Sequence, residues 1–288
     1  MRPPFLVCPL QPDLLKQLQG YQIILRIPEL EQVEQAVEQV NRASIRLECL
    51  YVTSRLALGL QPVSEKLKGI PLALRVPSMG LMRDVAIRLP LLRQLSIRVF
   101  MPMDSTENLT SIRILASLGI ACTVLPGTKN IKWDLFSDLA SYALLGLTPH
   151  GSIEPFHTLA REYQPAGRTE LGGAWFTHPE KFIHVDSQGR FAFSQDELDR
   201  EEFAGAGLQE LHGIFETPAF QKHQEQWREQ FLTFGGCATC PGWRICRGTF
   251  SVQAAENPEC RKAFQEILDI VELKQAADVR GNHQVWQL

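Results

Sequence analysis

The stretch 96-SIRVFMPMDSTENLTSIRILASLGIACTVL-125 decides the fold class. Ser96 to Phe100 is an apolar run of strand length. Met101-Pro102-Met103-Asp104-Ser105 reads as a loop. Thr106 is placed to cap a helix that runs through Leu118. Gly119 is its C-terminal stop, and Ile120 to Leu125 is the next strand. Strand, helix and strand in this order form the repeating unit of a parallel sheet.

The same unit recurs toward the N-terminus. Tyr21 to Ile27 is a buried strand ended by Pro28. Glu29 to Arg42 has Leu30, Val33, Ala36, Val37 and Val40 at helical spacing, with Glu and Gln on the other face. Ile45 to Val52 is strand-like, and the segment through Leu67 is partly helical. Pro71 to Val76 is a strand and Pro77-Ser78-Met79-Gly80 a turn. Leu81 to Leu95 is a helix divided or kinked at Pro90. Toward the C-terminus, Trp133 to Leu145 is an amphipathic helix closed by Gly146. About five strand–helix units predict an α/β fold, as an open doubly wound sheet or an incomplete (β/α) barrel. The segment before Tyr21 reads as loose. Neither G-x-G-x-x-G after a strand nor G-x-x-x-x-G-K-[ST] is present, so a nucleotide site has no direct support.

Pro149 to Gly173 is rich in Pro, Gly and polar residues and reads as a linker. It divides residues 1–160 from residues 161–288. In the second part, Lys181 to Phe193 predicts a hairpin turning at Ser187-Gln188-Gly189. Asp196 to Glu202 reads as a solvated acidic loop. Thr217-Pro218 starts a helix through about Phe231, and Glu259 to about Ala277 is another. The apolar set of this last helix is Phe264, Ile267, Leu268, Val271 and Leu273.

Between these two helices stand Cys237, Cys240, Cys246 and Cys260, four of seven cysteines within 24 positions. The C-x2-C-x5-C-x13-C spacing lets four thiolates converge on one soft metal centre, zinc or iron–sulfur. Pro241-Gly242 favours a turn through the knuckle. Cys260 opens a helix, where the dipole favours a thiolate. Cys49 and Cys122 lie in apolar strands and read as buried free thiols. Cys8 has no assignable place. His178, His184, His212, His223 and His283 have no ligand spacing and read as surface or structural residues.

Net charge is −3, with 29 basic and 32 acidic residues, which argues against a nucleic-acid partner held by phosphate neutralisation. No apolar run approaches the roughly 20 residues of a membrane span, and the start lacks the features of a signal peptide. The expectation is a cytoplasmic chain with no membrane partner, where clustered thiols favour metal over disulfides.

The C-terminal half resembles the SPASM domain of radical S-adenosylmethionine (SAM) enzymes. Gly189 in the hairpin matches the motif glycine. Cys237, Cys240 and Cys246 match the knuckle, and Cys260 takes the final cysteine. Ser194 and Phe250 stand where the family has cysteines, and Gly173 to Pro179 lacks the earlier one. The resemblance implies that the missing three would have served a first auxiliary cluster. The four that remain would hold a complete second one, a [4Fe–4S] centre. The N-terminal half looks like the family's partial (β/α) TIM-like barrel. The implied architecture is that barrel over 1–160, then a small SPASM-like α+β iron–sulfur domain over 161–288.

The family holds its reactive cluster with C-x3-C-x2-C after the first strand. Here that position reads Arg26-Ile27-Pro28-Glu29-Leu30-Glu31. The Gly-Gly-Glu motif is also missing near Val52-Thr53-Ser54-Arg55. The resemblance therefore implies no bound SAM and no independent catalysis. It points to a pseudoenzyme acting beside a radical SAM enzyme on a ribosomally made precursor peptide, by presenting the peptide or relaying electrons. A stand-alone [4Fe–4S] electron-transfer protein and a zinc-stabilised binding protein are the alternatives.

Overall fold

The computed structural model describes residues 3–29, 32–53, 69–76, 93, 95–125, 131–167, 169, 171–233, 235–247 and 258–285. The Pro77–Gly80 turn, most of the helix read from Leu81, the segment from Ser54 through Leu67, and Phe250 lie outside the described residues.

In chain order the elements are β1 (Phe5–Pro9), α1 (Pro12–Gln17), β2 (Gln22–Ile27), α2 (Val33–Ala43), β3 (Arg46–Val52), β4 (Leu72–Arg75) and β5 (Ile97–Pro102). Then come α3 (Thr106–Ser117), β6 (Ala121–Leu125), α4 (Trp133–Leu145), β7 (Ile153–Glu154), α5 (Phe156–Glu162), β8 (Phe182–Val185) and β9 (Phe191–Ala192). The chain ends with α6 (Gln195–Asp199), α7 (Pro218–Thr233), α8 (Gly235–Ala238), α9 (Trp243–Cys246) and α10 (Pro258–Val285). The protein is mixed α/β with mostly parallel strands, as the alternating pattern predicts. None of the described helices is long and apolar enough to cross a membrane.

Packing divides the chain into two compact units, each assembled from two segments. The first comprises Met1–Phe100 and Trp175–Glu225. Its strands run in the order β5-β4-β3-β2-β1-β8-β9, parallel except for the β8–β9 hairpin. Strands β1 to β5 pair consecutively, so the sheet winds in one direction without a reversal of strand order. The segment expected to be loose is β1, which lies between β2 and β8 with Leu6, Val7 and Cys8 fully buried. Buried on both faces, it reads as a short continuous apolar run with no alternation to reveal it.

Register separates the two faces of this sheet. Leu6, Cys8, Ile23, Leu25, Leu50, Val52, Leu72, Leu74, Val99 and Ile183 share one face, all apolar. Helix α2 packs on β2 and β3 through Val33, Ala36, Val37 and Val40, the residues its period predicts. The opposite face carries Arg26, Tyr51, Arg75, Phe100 and His184 toward the carboxyl ends of their strands.

The second unit comprises Met101–Ala174 and Gln226–Leu288. Here β6 pairs with β7 in parallel. Ser105, not Thr106, caps α3, its hydroxyl accepting from Asn108 N at 3.1 Å. Gly119 follows the helix at φ +84°, a left-handed position that suits glycine. The Pro/Gly-rich stretch read as a linker contains β7 and α5, with Phe156 and Leu159 buried. Gly151 is required there by a close approach: a Cβ would meet Ile120 O at 2.3 Å. Phe136 packs on Phe156 (4.9 Å between ring centroids) and on Trp133 (6.1 Å).

Candidate metal centre

All four clustered cysteines belong to the second unit, and helix α10 provides the floor beneath them. Cys260, Ala263, Phe264, Ile267, Leu268 and Val271 are buried along one side of this helix. Burying each large side chain contributes about 1.5–3 kcal/mol, so packing fixes the helix without help from a ligand. Leu273, read as part of that stripe, is 58% exposed. Gln275 ties the helix to α5, donating to Ala160 O and Tyr163 O at 2.9 Å each.

The knuckle is seated on this helix by a glycine contact. A Cβ on Gly242 would lie 2.5 Å from the Phe264 ring, so only glycine allows the approach. Phe264 stands one turn beyond Cys260, on the same helix face. The contact therefore brings the turn between Cys240 and Cys246 over Cys260. Two short helices, α8 and α9, flank a tight turn at Thr239–Gly242, which agrees with the turn expected from Pro241-Gly242. Cys240 N donates to Cys237 O (3.1 Å), Trp243 N to Cys240 O (3.2 Å) and Cys246 N to Gly242 O (2.8 Å). Arg261, next to Cys260, donates to Thr239 Oγ1 at 3.1 Å. Helix α10 also packs against α8, which carries Cys237. Phe231 covers Trp243 with ring centroids 4.7 Å apart.

Cys246 and Cys260 are buried, and Cys237 and Cys240 are partly exposed. The Cys260 thiol is pushed well up by burial and then by the fields of Cys246, Cys240 and Cys237. The dipole advantage expected at a helix start is outweighed by these terms. Burial also raises Cys240, against the N–H groups of Gly242 and Trp243 and the charge of Arg261. Cys237 is raised by burial and by Cys240. Each of the other three sulfurs thus acts on Cys260. Among the described residues, no group of three or more His, Cys, Asp or Glu is gathered at single-ion distances. The donor chemistry fits a soft cation: four thiols whose mutual repulsion on ionisation only a positive centre relieves.

The other thiols are elsewhere. Cys8, Cys49 and Cys122 are buried. Burial pushes Cys8 and Cys49 up to about 12, which marks them as inert. Cys122 Sγ faces Ile120 O at 3.6 Å.

Ser194, where the resemblance has a cysteine, and the start of the cysteine-free segment Arg26 to Glu31 are built into other structure. Ser194 caps α6, its hydroxyl accepting from Glu197 N at 3.2 Å. The Glu197 carboxylate accepts from Phe193 N (2.9 Å) and Ser194 N (3.0 Å), completing a capping box. The acidic run read as a loop is therefore a helix, because Ser-x-x-Glu is an N-terminal signal. Arg26 opens the cysteine-free segment. Its guanidinium donates to Gln195 Oε1 and, at 3.0 Å, to Val185 O. His178 and His184 are buried, in agreement with a structural reading.

Neither a protein-family model nor a curated protein matches this chain. Among solved structures it is similar to SuiB of Streptococcus suis. The likeness covers 90% of this chain and 75% of SuiB, with a TM-score of 0.51 and 11% identity. At that identity the likeness is one of fold alone.

Proposed function

We propose that this chain is a radical-SAM-like pseudoenzyme with one auxiliary-type [4Fe–4S] centre on Cys237, Cys240, Cys246 and Cys260. In this reading the N-terminal part (1–160) is a partial (β/α) barrel without a SAM-cleaving cluster. The C-terminal part (161–288) is SPASM-like, and the protein works in the cytoplasm. It serves a radical SAM enzyme that matures a ribosomally made peptide, by presenting the peptide or relaying electrons. Bound at the four thiolates, the cluster would supply one-electron redox chemistry. Helix α10 would hold Cys260 in place, the Gly242–Phe264 contact would seat the knuckle, and Arg261 would oppose the negative charge of the thiolates.

The observation that carries this reading is the contrast between retained and replaced positions. Cys260 lies on α10 and the segment bearing Cys237, Cys240 and Cys246 packs against that helix, while Ser194 stands where the resemblance has a cysteine and Arg26 opens the cysteine-free segment, both in hydrogen-bonded roles. The resemblance of the cysteine pattern to the SPASM domain favours iron–sulfur over zinc. Co-expression with a candidate radical SAM enzyme and a candidate precursor peptide tests the role. The expected result is a stable complex with one of them that survives size-exclusion chromatography. A brown, cluster-loaded protein that associates with neither would retain the cluster and refute the partner role.

A further inference from the structure

The seven strands of the first unit carry four arginines (Arg26, Arg46, Arg75 and Arg98) and one acidic residue, Glu48. Glu48 sits at the register break between β2 and β3. Two of the arginines lie near the carboxyl ends of parallel strands, where ligands bind in parallel α/β folds. Arg26 pairs in register with Tyr51, and Tyr51 with Ala73, two residues before Arg75. His184 is on the same face through its pairing with Val7.

Arg26 is partly buried, and among the described residues no carboxylate is hydrogen-bonded to it. Its partners are Gln195 Oε1 and Val185 O, and its Nε is buried without a partner. The nearby carboxylates are engaged elsewhere. Asp186 accepts from Arg190 Nε at 2.7 Å, and Asp199 from Gln195 at 2.6 Å. His184 is 4% exposed; its Nε2 meets Phe176 O at 2.8 Å, and its Nδ1 is buried without a hydrogen bond. Phe176 is held at φ +59° to present that carbonyl. Its ring packs on Tyr51, Phe100 and Phe182, with centroids 5.5–5.6 Å apart, an apolar wall beside the charge. Tyr51 lies in the field of both Arg75 and Arg26. A buried guanidinium without a counter-ion is costly. An anion delivered to this face would offset that cost with charge-assisted hydrogen bonds.

We infer that the carboxyl ends of β2, β3, β4 and β8 form an oxyanion-binding site, in which Arg26 and Arg75 hold a carboxylate or phosphate beside the Phe176 wall. This site is independent of the cysteine cluster and does not rest on it. Calorimetric titration of the full chain tests it with three probes: inorganic phosphate, an amidated peptide of alternating Glu and Ala, and its Gln counterpart. Phosphate or the Glu peptide is expected to bind, and the Gln peptide at least tenfold more weakly than the Glu peptide. Phosphate alone would identify a phosphorylated small ligand, and the Glu peptide alone the side chains of an acidic peptide. Arg26→Gln is expected to weaken binding at least tenfold. Arg75→Gln, at an exposed strand end, is expected to do the same with the fold intact, so the test survives if Arg26→Gln does not fold. Absence of binding by both anionic probes at millimolar concentration would overturn the proposal. So would equal binding of the Gln peptide, or binding unchanged by Arg75→Gln.

Discussion

The cysteine knuckle of the second unit and the strand ends of the first solve opposite electrostatic problems. At the knuckle, the Cys260 thiol is pushed up by burial and by the fields of Cys246, Cys240 and Cys237. At the strand ends, the partly buried Arg26 guanidinium is hydrogen-bonded, among the described residues, to neutral oxygens. The first arrangement calls for a cation and the second for an anion. Each site rests on a packed apolar element: the knuckle on the buried stripe of α10, the strand ends on a sheet with an aliphatic face. Chemistry in this chain is thus placed on rigid elements, with the charge left to be balanced by something that binds.

The comparison can be broken at the knuckle first, where the effects are largest. Cys240→Ser is expected to abolish metal binding and destabilise the second unit, because folding and ligation are coupled. Cys49→Ser, in a strand of the first unit, should keep the full metal content. Metal analysis of both variants checks this, and equal loss in the two would mean the ligand set is wrong.

Gly242→Ala is next. Its Cβ would enter the Phe264 ring, at a cost of about 1–3 kcal/mol for overpacking. It should lower both the melting temperature and metal occupancy, because the knuckle would no longer sit on α10. Thermal melts with parallel metal assays read both effects.

Ser194→Ala should cost about 0.5–2 kcal/mol through loss of the cap and leave metal content unchanged. Urea titration followed by metal analysis separates the two. A loss of metal would tie this position to the cluster.

The smallest effect is on pH dependence. Burial raises the Glu197 carboxyl, but His223, at 3.5 Å, and the N–H groups of Phe193 and Ser194 outweigh it and hold it below the usual range. A depressed carboxyl contributes stability above its unfolded pKa of about 4.3. That contribution is lost as pH falls through the folded value. Glu197→Gln should therefore lower stability most at pH 7 and flatten the acid limb, its difference from the parent chain shrinking below about pH 4.3. Urea midpoints across pH 3 to 7 test it.

Much of the fold was legible because helix and strand periods differ and glycine punctuates them. Trp133–Leu145 and Gly119 are found where the pattern puts them. Strand β1 was not legible. Its five residues Phe5 to Pro9 are too few to show a period, and Pro3, Pro4 and Pro9 suggested a loose end. The β7–α5 segment hid for a related reason. Its glycines and prolines read as linker, whereas Gly151 is there because the backbone of Ile120 leaves no room for a side chain. The cysteine spacing announced a convergent set. It did not announce the Gly242–Phe264 contact or Arg261, which depend on the path of α10. The arginines at the strand ends escaped notice because nothing in the linear order of Arg26, Tyr51, Arg75 and His184 reveals that they share a face.

The central claim is that the four thiols hold an iron–sulfur cluster, and anaerobic purification with iron, sulfide and zinc quantitation tests it most directly. The account predicts a brown protein with about four irons and four sulfides per chain. A colourless protein carrying one zinc, or a protein with no metal after anaerobic reconstitution, would contradict it.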